Sequence, residues 1–287
     1  MCKYHLSTII IFAAICSCTT RSSDFASSAG GGWAQIYNNQ FVGHARYFSN
    51  EHPENSIAIY KTLVDLDYKI IECDVLFTQD SIPVLSHDEN LYNLAHDSTG
   101  TRVNKKIQDI TFAELQKYDF SISKSEPIRI TTFEQVIRFA KTRNICVQVD
   151  LQKHIFGAPQ CRILYDIVSK ANMLDKVIWE VSDDDFFEFI SLDNRLIYQL
   201  DETWSCEKIK ELTKYKKNAS LIILSKWFPN YDNIGEYKHI VDWGHQNGFL
   251  MKCAVINDSI IAKELWEMGV DLMTTDCLKN DLLSRVF

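Results

Sequence analysis

Short apolar runs rich in β-branched residues recur along the chain, each followed by a stretch with helical periodicity. "FVGHAR" precedes "PENSIAIYKTLVDL", and "KIIECDVLF" comes next. "ICVQVDL" precedes "CRILYDIVSKANM", "KVIWEVS" precedes "DDFFEFISL", and "RLIYQL" precedes "CEKIKELTKY". "SLIILS" is followed by "YKHIVDWGHQN" and "LMKCAVI" by "SIIAKELWEMG", while "DLMTTD" closes the series. Strands alternating with helices predict a parallel sheet, because a parallel neighbour is reached only through a crossover. One run breaks the rhythm: "IPVLSH" follows "CDVLF" after only "TQDS". Four residues close a hairpin and cannot carry a crossover, so this run predicts an antiparallel flap on the second strand. Without it eight strands remain, the count of an α/β (β/α)8 TIM barrel, in about 245 residues. No GxGxxG stretch supports the alternative, a doubly wound open sheet. The polar stretch from Asn90 to about Arg129 reads as a small insertion after the hairpin, over the barrel mouth.

The N-terminus follows a different logic. Lys3 precedes "LSTIIIFAAIC", an apolar run too short for a bilayer core of about 30 Å, which is the pattern of a secretory leader. "ICSC", ending at Cys18, resembles a bacterial lipobox, so Cys18 is the expected lipidation site, with plain cleaved secretion as the alternative. Residues 1–18 are therefore expected to be a leader, residues 19–38 a Ser/Gly-rich tether, and residues 39–287 the barrel. The implied location is outside a bacterial cytoplasm, anchored by lipid and facing the periplasm or cell surface. A net charge of −8 argues against nucleic acid as a partner, but it is compatible with a small anionic substrate met by a divalent cation. Of nine cysteines, Cys2, Cys16 and Cys18 belong to the leader. Cys73, Cys146, Cys161, Cys206, Cys253 and Cys277 show no CxxC spacing, and no disulfide is assigned among them.

The candidate chemistry lies at strand ends. Side chains alternate along a strand, so Glu72 and Asp74 share one face and Cys73 and Val75 the other. Two neighbouring carboxylates facing a barrel interior repel each other and lose hydration unless a cation neutralises them. Oxygen donors favour Mg²⁺ or Ca²⁺ over Zn²⁺. Asp150, ending "CVQVD", offers a third carboxylate where barrel enzymes place their chemistry. His44 ends "FVGH" and His87 ends "IPVLSH", which supplies both an acid and a base. Arg46 has the planar fork that suits a phosphate oxygen.

These residues, in this order, resemble the glycerophosphodiester phosphodiesterase family, a branch of the phospholipase-C-like TIM-barrel phosphodiesterases. "HAR", "PENS", "ECDV", "TQDS" and "HDENL" stand where the family has His-Arg-Gly, Pro-Glu-Asn, Glu-x-Asp-Val, Thr-x-Asp-Gly and His-Asp. "AVIND" and "MGVDLMTTD" resemble its C-terminal signatures. The resemblance implies His44 and His87 as the acid–base pair, and Glu72, Asp74 and Asp150 as ligands of one divalent cation. It implies Arg46 as the phosphate holder and Glu54 as a supporting loop residue. The implied reaction cleaves a small-molecule glycerophosphodiester to glycerol 3-phosphate and an alcohol. The chain departs from the pattern at several places. Ala45 separates His44 from Arg46, Ser81 replaces a turn glycine, and Cys253 or Ala254 stands where a tryptophan is expected. "DLQK" replaces Glu-x-Lys on the third barrel strand, so Gln152 takes the lysine position and Lys153 is out of phase. Two other readings fit the same barrel: a lyase-type phospholipase or inositol phosphodiesterase giving a cyclic phosphate, and a surface binding protein with weakened catalysis. Trp204 and Trp227 follow two later strands and could line an alcohol pocket.

Overall fold

A computed structural model describes residues 41–46, 52–122, 126–151, 156–181, 183–193, 195–200, 211, 214, 221–223 and 238–276. Cys18, the 19–38 tether, Gln152, Lys153, Trp204, Cys206, Trp227 and Cys277 lie outside the described residues.

The strands are β1 (Phe41–Gly43), β2 (Ile70–Phe77), β3 (Pro83–Leu85), β4 (Cys146–Asp150), β5 (Val177–Glu180), β6 (Ile197–Leu200), β7 (Leu221–Ile223), β8 (Leu250–Cys253) and β9 (Leu272–Thr275). Leaving out β3, each pairs in parallel with the next, and β1 also pairs with β9, with Gly43 beside Thr275. The ring is thus closed by eight parallel strands, the barrel that the strand count predicts. β3 pairs antiparallel with β2, Val75 opposite Leu85, as so short a connection, five residues between the strand ends, requires.

Helices cover the outside: α1 (Ile57–Asp65), α3 (Phe133–Arg143), α4 (Gly157–Lys170), α5 (Asp183–Leu192), α6 (Lys238–Gln246) and α7 (Ser259–Met268), while a one-turn α2 (Phe112–Leu115) belongs to the insertion after the hairpin. Their ends follow local chemistry. Ser56 caps α1 through Ile59 N, and Thr132 and Gln135 form a reciprocal capping box on α3. Asp258 caps α7, which stops at Gly269 with φ of 105°. Among the described residues no helix is long and apolar enough to cross a membrane.

Alternation along the strands separates two kinds of core. Ile71, Cys73, Val75, Val147, Val149, Trp179, Tyr198, Met251 and Met273 face outward and pack against the helices. Val42, Ile70, Cys146, Ile178, Ile197, Leu250 and Leu272 form a separate apolar cluster, which plugs the barrel interior. Two residues further along each of these strands the interior becomes polar: His44, Glu72, Gln148, Glu180, Gln199, Lys252 and Thr274. Two residues further again stand Arg46, Asp74, Asp150 and Asp276. One end of the barrel is therefore dry and the other is built for chemistry. Cys73, Cys146, Cys161 and Cys253 are buried, and no disulfide joins any two of them.

The 90–129 insertion has its own small core. Leu91, Ala95, Val103, Ile107, Ile110, Leu115 and Phe120 pack with Leu76 and Val84 of the hairpin. The segment is anchored on β2 and β3, the strands that carry Asp74 and lead to His87.

Candidate active site

β2 and β4 lie side by side with Glu72 next to Gln148 and Asp74 next to Asp150. This register brings Glu72, Asp74 and Asp150 together, with one oxygen of each within 4.8 Å of the others. Glu72 and Asp74 are buried. Burial pushes the Glu72 carboxyl well up from its ordinary value, the Asp74 charge pushes it further, and His44 opposes both. Three converging carboxylates under this strain, all oxygen donors, are chemically suited to a hard divalent cation.

Neighbouring groups fix each carboxylate. Glu72 Oε2 accepts from the Ala45 backbone N–H at 2.7 Å. Asp74 Oδ2 accepts from Asn55 Nδ2 at 2.8 Å, and Asn55 Oδ1 accepts from Asp74 N at 3.1 Å and from the Tyr60 hydroxyl at 3.0 Å. Asn55 does this from a left-handed backbone, φ 53°, which asparagine tolerates better than most residues. Asn55→Ala removes both bonds to Asp74 and strands buried polar groups in a strained conformation. The expected loss is about 2–4 kcal/mol in urea unfolding, together with weaker cation uptake.

His44 and His87 each have Nδ1 on a carboxylate. His44 Nδ1 is 2.5 Å from Asp276 Oδ1, with His44 Nε2 3.9 Å from Glu72 Oε2. Asn257 Nδ2 donates to the other oxygen of Asp276 at 2.9 Å and holds it in place. Burial alone would lower the His44 imidazole. The Asp276 hydrogen bond, with the charges of Glu72, Asp276 and Asp74, outweighs burial and pushes it up to about 9. For Asp276, burial pushes up, but the His44 and Asn257 hydrogen bonds win and hold it below the usual carboxylate value. His87 Nδ1 lies 2.6 Å from Asp88 Oδ1. A carboxylate on Nδ1 sets the tautomer, so that Nε2 of His44 faces Glu72 and Nε2 of His87 faces Arg46. The β3 end that carries His87 is pinned by Ser86 N donating to the Asp74 carbonyl at 3.1 Å.

Arg46 links His87 to Glu54. It follows Ala45, and its Nη1 is 3.1 Å from His87 Nε2, while its Nε donates to Glu54 Oε2 at 3.1 Å. Burial raises the Glu54 carboxyl against the pull of Arg46. Ser56 starts the α1 helix, and the "PENS" carboxylate of Glu54 serves Arg46. An open groove of about 650 Å³ begins at His87 and runs along Asp88, Glu89, Asn90, Tyr92, Asn93 and Asn104 of the insertion. Glu72, Asp74 and Asp150 do not line it.

The sequence model of the glycerophosphoryl diester phosphodiesterase family matches residues 46–279. The chain belongs to this family. A glycerophosphodiester phosphodiesterase of Caldanaerobacter subterraneus is 31% identical over 114 residues, which is 39% of this chain and 44% of the relative. The human lysophospholipase D GDPD1 is 28% identical over 148 residues, 51% of this chain and 42% of the relative. The chain thus spans less than half the length of these curated relatives. Among solved structures, a Parabacteroides distasonis glycerophosphodiester phosphodiesterase superposes with a TM-score of 0.67 at 23% identity, covering 87% of this chain and 99% of that one. An Oleispira antarctica phosphodiesterase in complex with the product sn-glycerol-3-phosphate gives 0.64 at 18% identity, covering 88% and 98%. At these identities the structural likeness speaks for the fold.

Within this glycerophosphoryl diester phosphodiesterase frame, the residues expected from sequence fall into two contiguous sets. Glu72, Asp74 and Asp150 meet, with His44 beside Glu72. His87, Arg46 and Glu54 form a second run, joined to the first through Ala45 and Asn55. The residue that separates His44 from Arg46 is itself used: Ala45 gives its N–H to Glu72 and its carbonyl to Asn55 N at 3.1 Å. Sequence reasoning quoted "PENS", "AVIND" and "MTTD" but gave no role to Asn55, Asn257 or Asp276. Each is a polar residue inside a motif already in view.

Proposed function

We propose that the chain hydrolyses glycerophosphodiesters to glycerol 3-phosphate and an alcohol, using one divalent cation, Mg²⁺ or Ca²⁺, and histidine acid–base catalysis. The observation that carries this reading is the meeting of Glu72, Asp74 and Asp150 beside a histidine held by Asp276. Glu72, Asp74 and Asp150 would hold the cation, which when bound screens a non-bridging phosphate oxygen and supplies Lewis-acid stabilisation. A carboxylate fixes Nδ1 of each histidine; His44 Nε2 lies beside Glu72, and His87 Nε2 is released when Arg46 turns from it to the phosphate. One histidine removes the proton of the attacking oxygen and the other protonates the leaving alkoxide. Arg46, 44% exposed at its side chain, can exchange its Glu54 and His87 contacts for a phosphate oxygen. The groove lined by His87 is placed to receive the departing alcohol, which supports His87 as the leaving-group acid.

The test follows ³¹P resonances of glycerophosphocholine and glycerophosphoethanolamine, with Mg²⁺ or Ca²⁺ and then with EDTA. Glycerol 3-phosphate is expected to accumulate and to stop accumulating on chelation. A cyclic phosphate as the end product makes the protein a lyase instead. Lysophosphatidylcholine belongs in the same panel, since one relative carries the lysophospholipase D name. No turnover of any diester in either cation defeats the proposal.

A further inference from the structure

The barrel interior contains an ammonium group that the hydrolytic mechanism does not use. Lys252, on β8, is 1% exposed. Its Nζ donates to Gln148 Oε1 at 2.6 Å and to Gln199 Oε1 at 2.9 Å. With its oxygen thus committed, the Gln148 amide donates Nε2 to Glu180 Oε2 at 2.8 Å. A buried ammonium is costly unless dipoles and a counter-charge surround it, and the layer below shows that this interior fills readily with apolar side chains. Lys252 therefore contributes something that packing alone does not require.

Its position suggests what that is. Gln148 stands beside Glu72 in the strand register and two residues before Asp150. The ammonium that Gln148 binds thus shares an interior layer with Glu72 and lies one layer beneath Asp74 and Asp150. Glu180, at the far end of the same amide bridge, stands beside Asp150 in the next strand pair and carries the opposite sign. A fixed charge at this depth is poorly screened, so it acts on anything that binds above it. A cation among the carboxylates is repelled by Lys252. A phosphate on that cation is attracted.

We infer that Lys252 sets the balance between cation and phosphate affinity, lowering the first and raising the second. This rests on the cation reading of Glu72, Asp74 and Asp150. Loss of the ammonium then has two effects of opposite sign, which a merely structural residue cannot produce. Calorimetry with Ca²⁺ alone, and then with glycerol 3-phosphate on the Ca²⁺-saturated protein, measures both. Lys252→Met is expected to tighten Ca²⁺ about fivefold and to weaken glycerol 3-phosphate about fivefold. Lys252→Gln keeps a donor for the neighbouring amides and is expected to show the same signs if the methionine variant folds poorly. Glu180→Gln should reverse both signs. Affinities that fall together, or that do not move, overturn the inference and leave the cation site standing. A wild-type chain that takes up no Ca²⁺ removes the cation site itself, and the inference with it.

Discussion

His44→Ala and His87→Ala are each expected to lower kcat for glycerophosphodiester hydrolysis by about 10²–10⁴-fold, the usual contribution of one positioned proton transfer. The two losses should differ in kind. His44 sits between Asp276 and Glu72, so its removal also changes the electrostatics of the carboxylates. His87 is held by Asp88 and Arg46, one step away from them. Calorimetric Ca²⁺ uptake should therefore be altered in His44→Ala and close to wild type in His87→Ala. Asp150→Asn should lose both uptake and turnover, since it removes one of three charged donors that meet within 4.8 Å. The assay also separates the histidines through the leaving group. A diester whose alcohol is already a good leaving group, such as a nitrophenyl ester, needs no acid, so its hydrolysis should fall far less in the variant that has lost the acid. If both alanine variants retain more than about a tenth of wild-type kcat on every diester, the acid–base assignment is wrong.

Much of this arrangement could be read from the chain because barrels translate sequence period into direction. Glu72 and Asp74 two residues apart had to share a face, and the flanking isoleucines and valine placed that strand in the sheet. The four-residue gap before "IPVLSH" excluded a parallel strand, which set the count at eight and put His87 at the end of a flap. What stayed hidden were side chains whose partners lie far along the chain. Asp276 reaches His44 across 232 positions, and Lys252 reaches Gln148 across 104. Local pattern carries no information about such pairs; only the closure of the ring brings β9 beside β1. Lys252 was further obscured by its type. A lysine in "LMKCAVI" breaks an apolar run and reads as a solvent-facing residue, yet the fold points it inward, into a layer of amides and acids. Asn55 was hidden by its company: beside Pro53 and Glu54 it looks like part of a helix start, and its left-handed backbone is visible only in three dimensions.

In EDTA, the protein is expected to lose stability as the pH is raised from neutral to about 9. The His44 imidazole is raised from an ordinary 6.5 to about 9 in the folded chain, chiefly by Asp276 working against burial. The folded state therefore binds a proton more tightly than the unfolded state does. The resulting stabilisation is complete below pH 6.5 and is lost as the pH rises through about 9. It amounts to about 3 kcal/mol at its fullest. Glu72 acts in the same direction, since burial and the Asp74 charge raise its carboxyl and its ionisation then opposes folding. A divalent cation should offset both effects. It removes the repulsion among the carboxylates and takes away the negative charge of Glu72 and Asp74 that helps to hold the His44 proton. Urea unfolding at several pH values, for wild type and His44→Ala, isolates the histidine as the difference between the two curves. That difference should shrink from its low-pH value toward zero at pH 9, and saturating Ca²⁺ should flatten it. A difference that is constant with pH in EDTA shows that His44 carries no extra proton in the folded chain, and that Asp276 orients the ring without charging it.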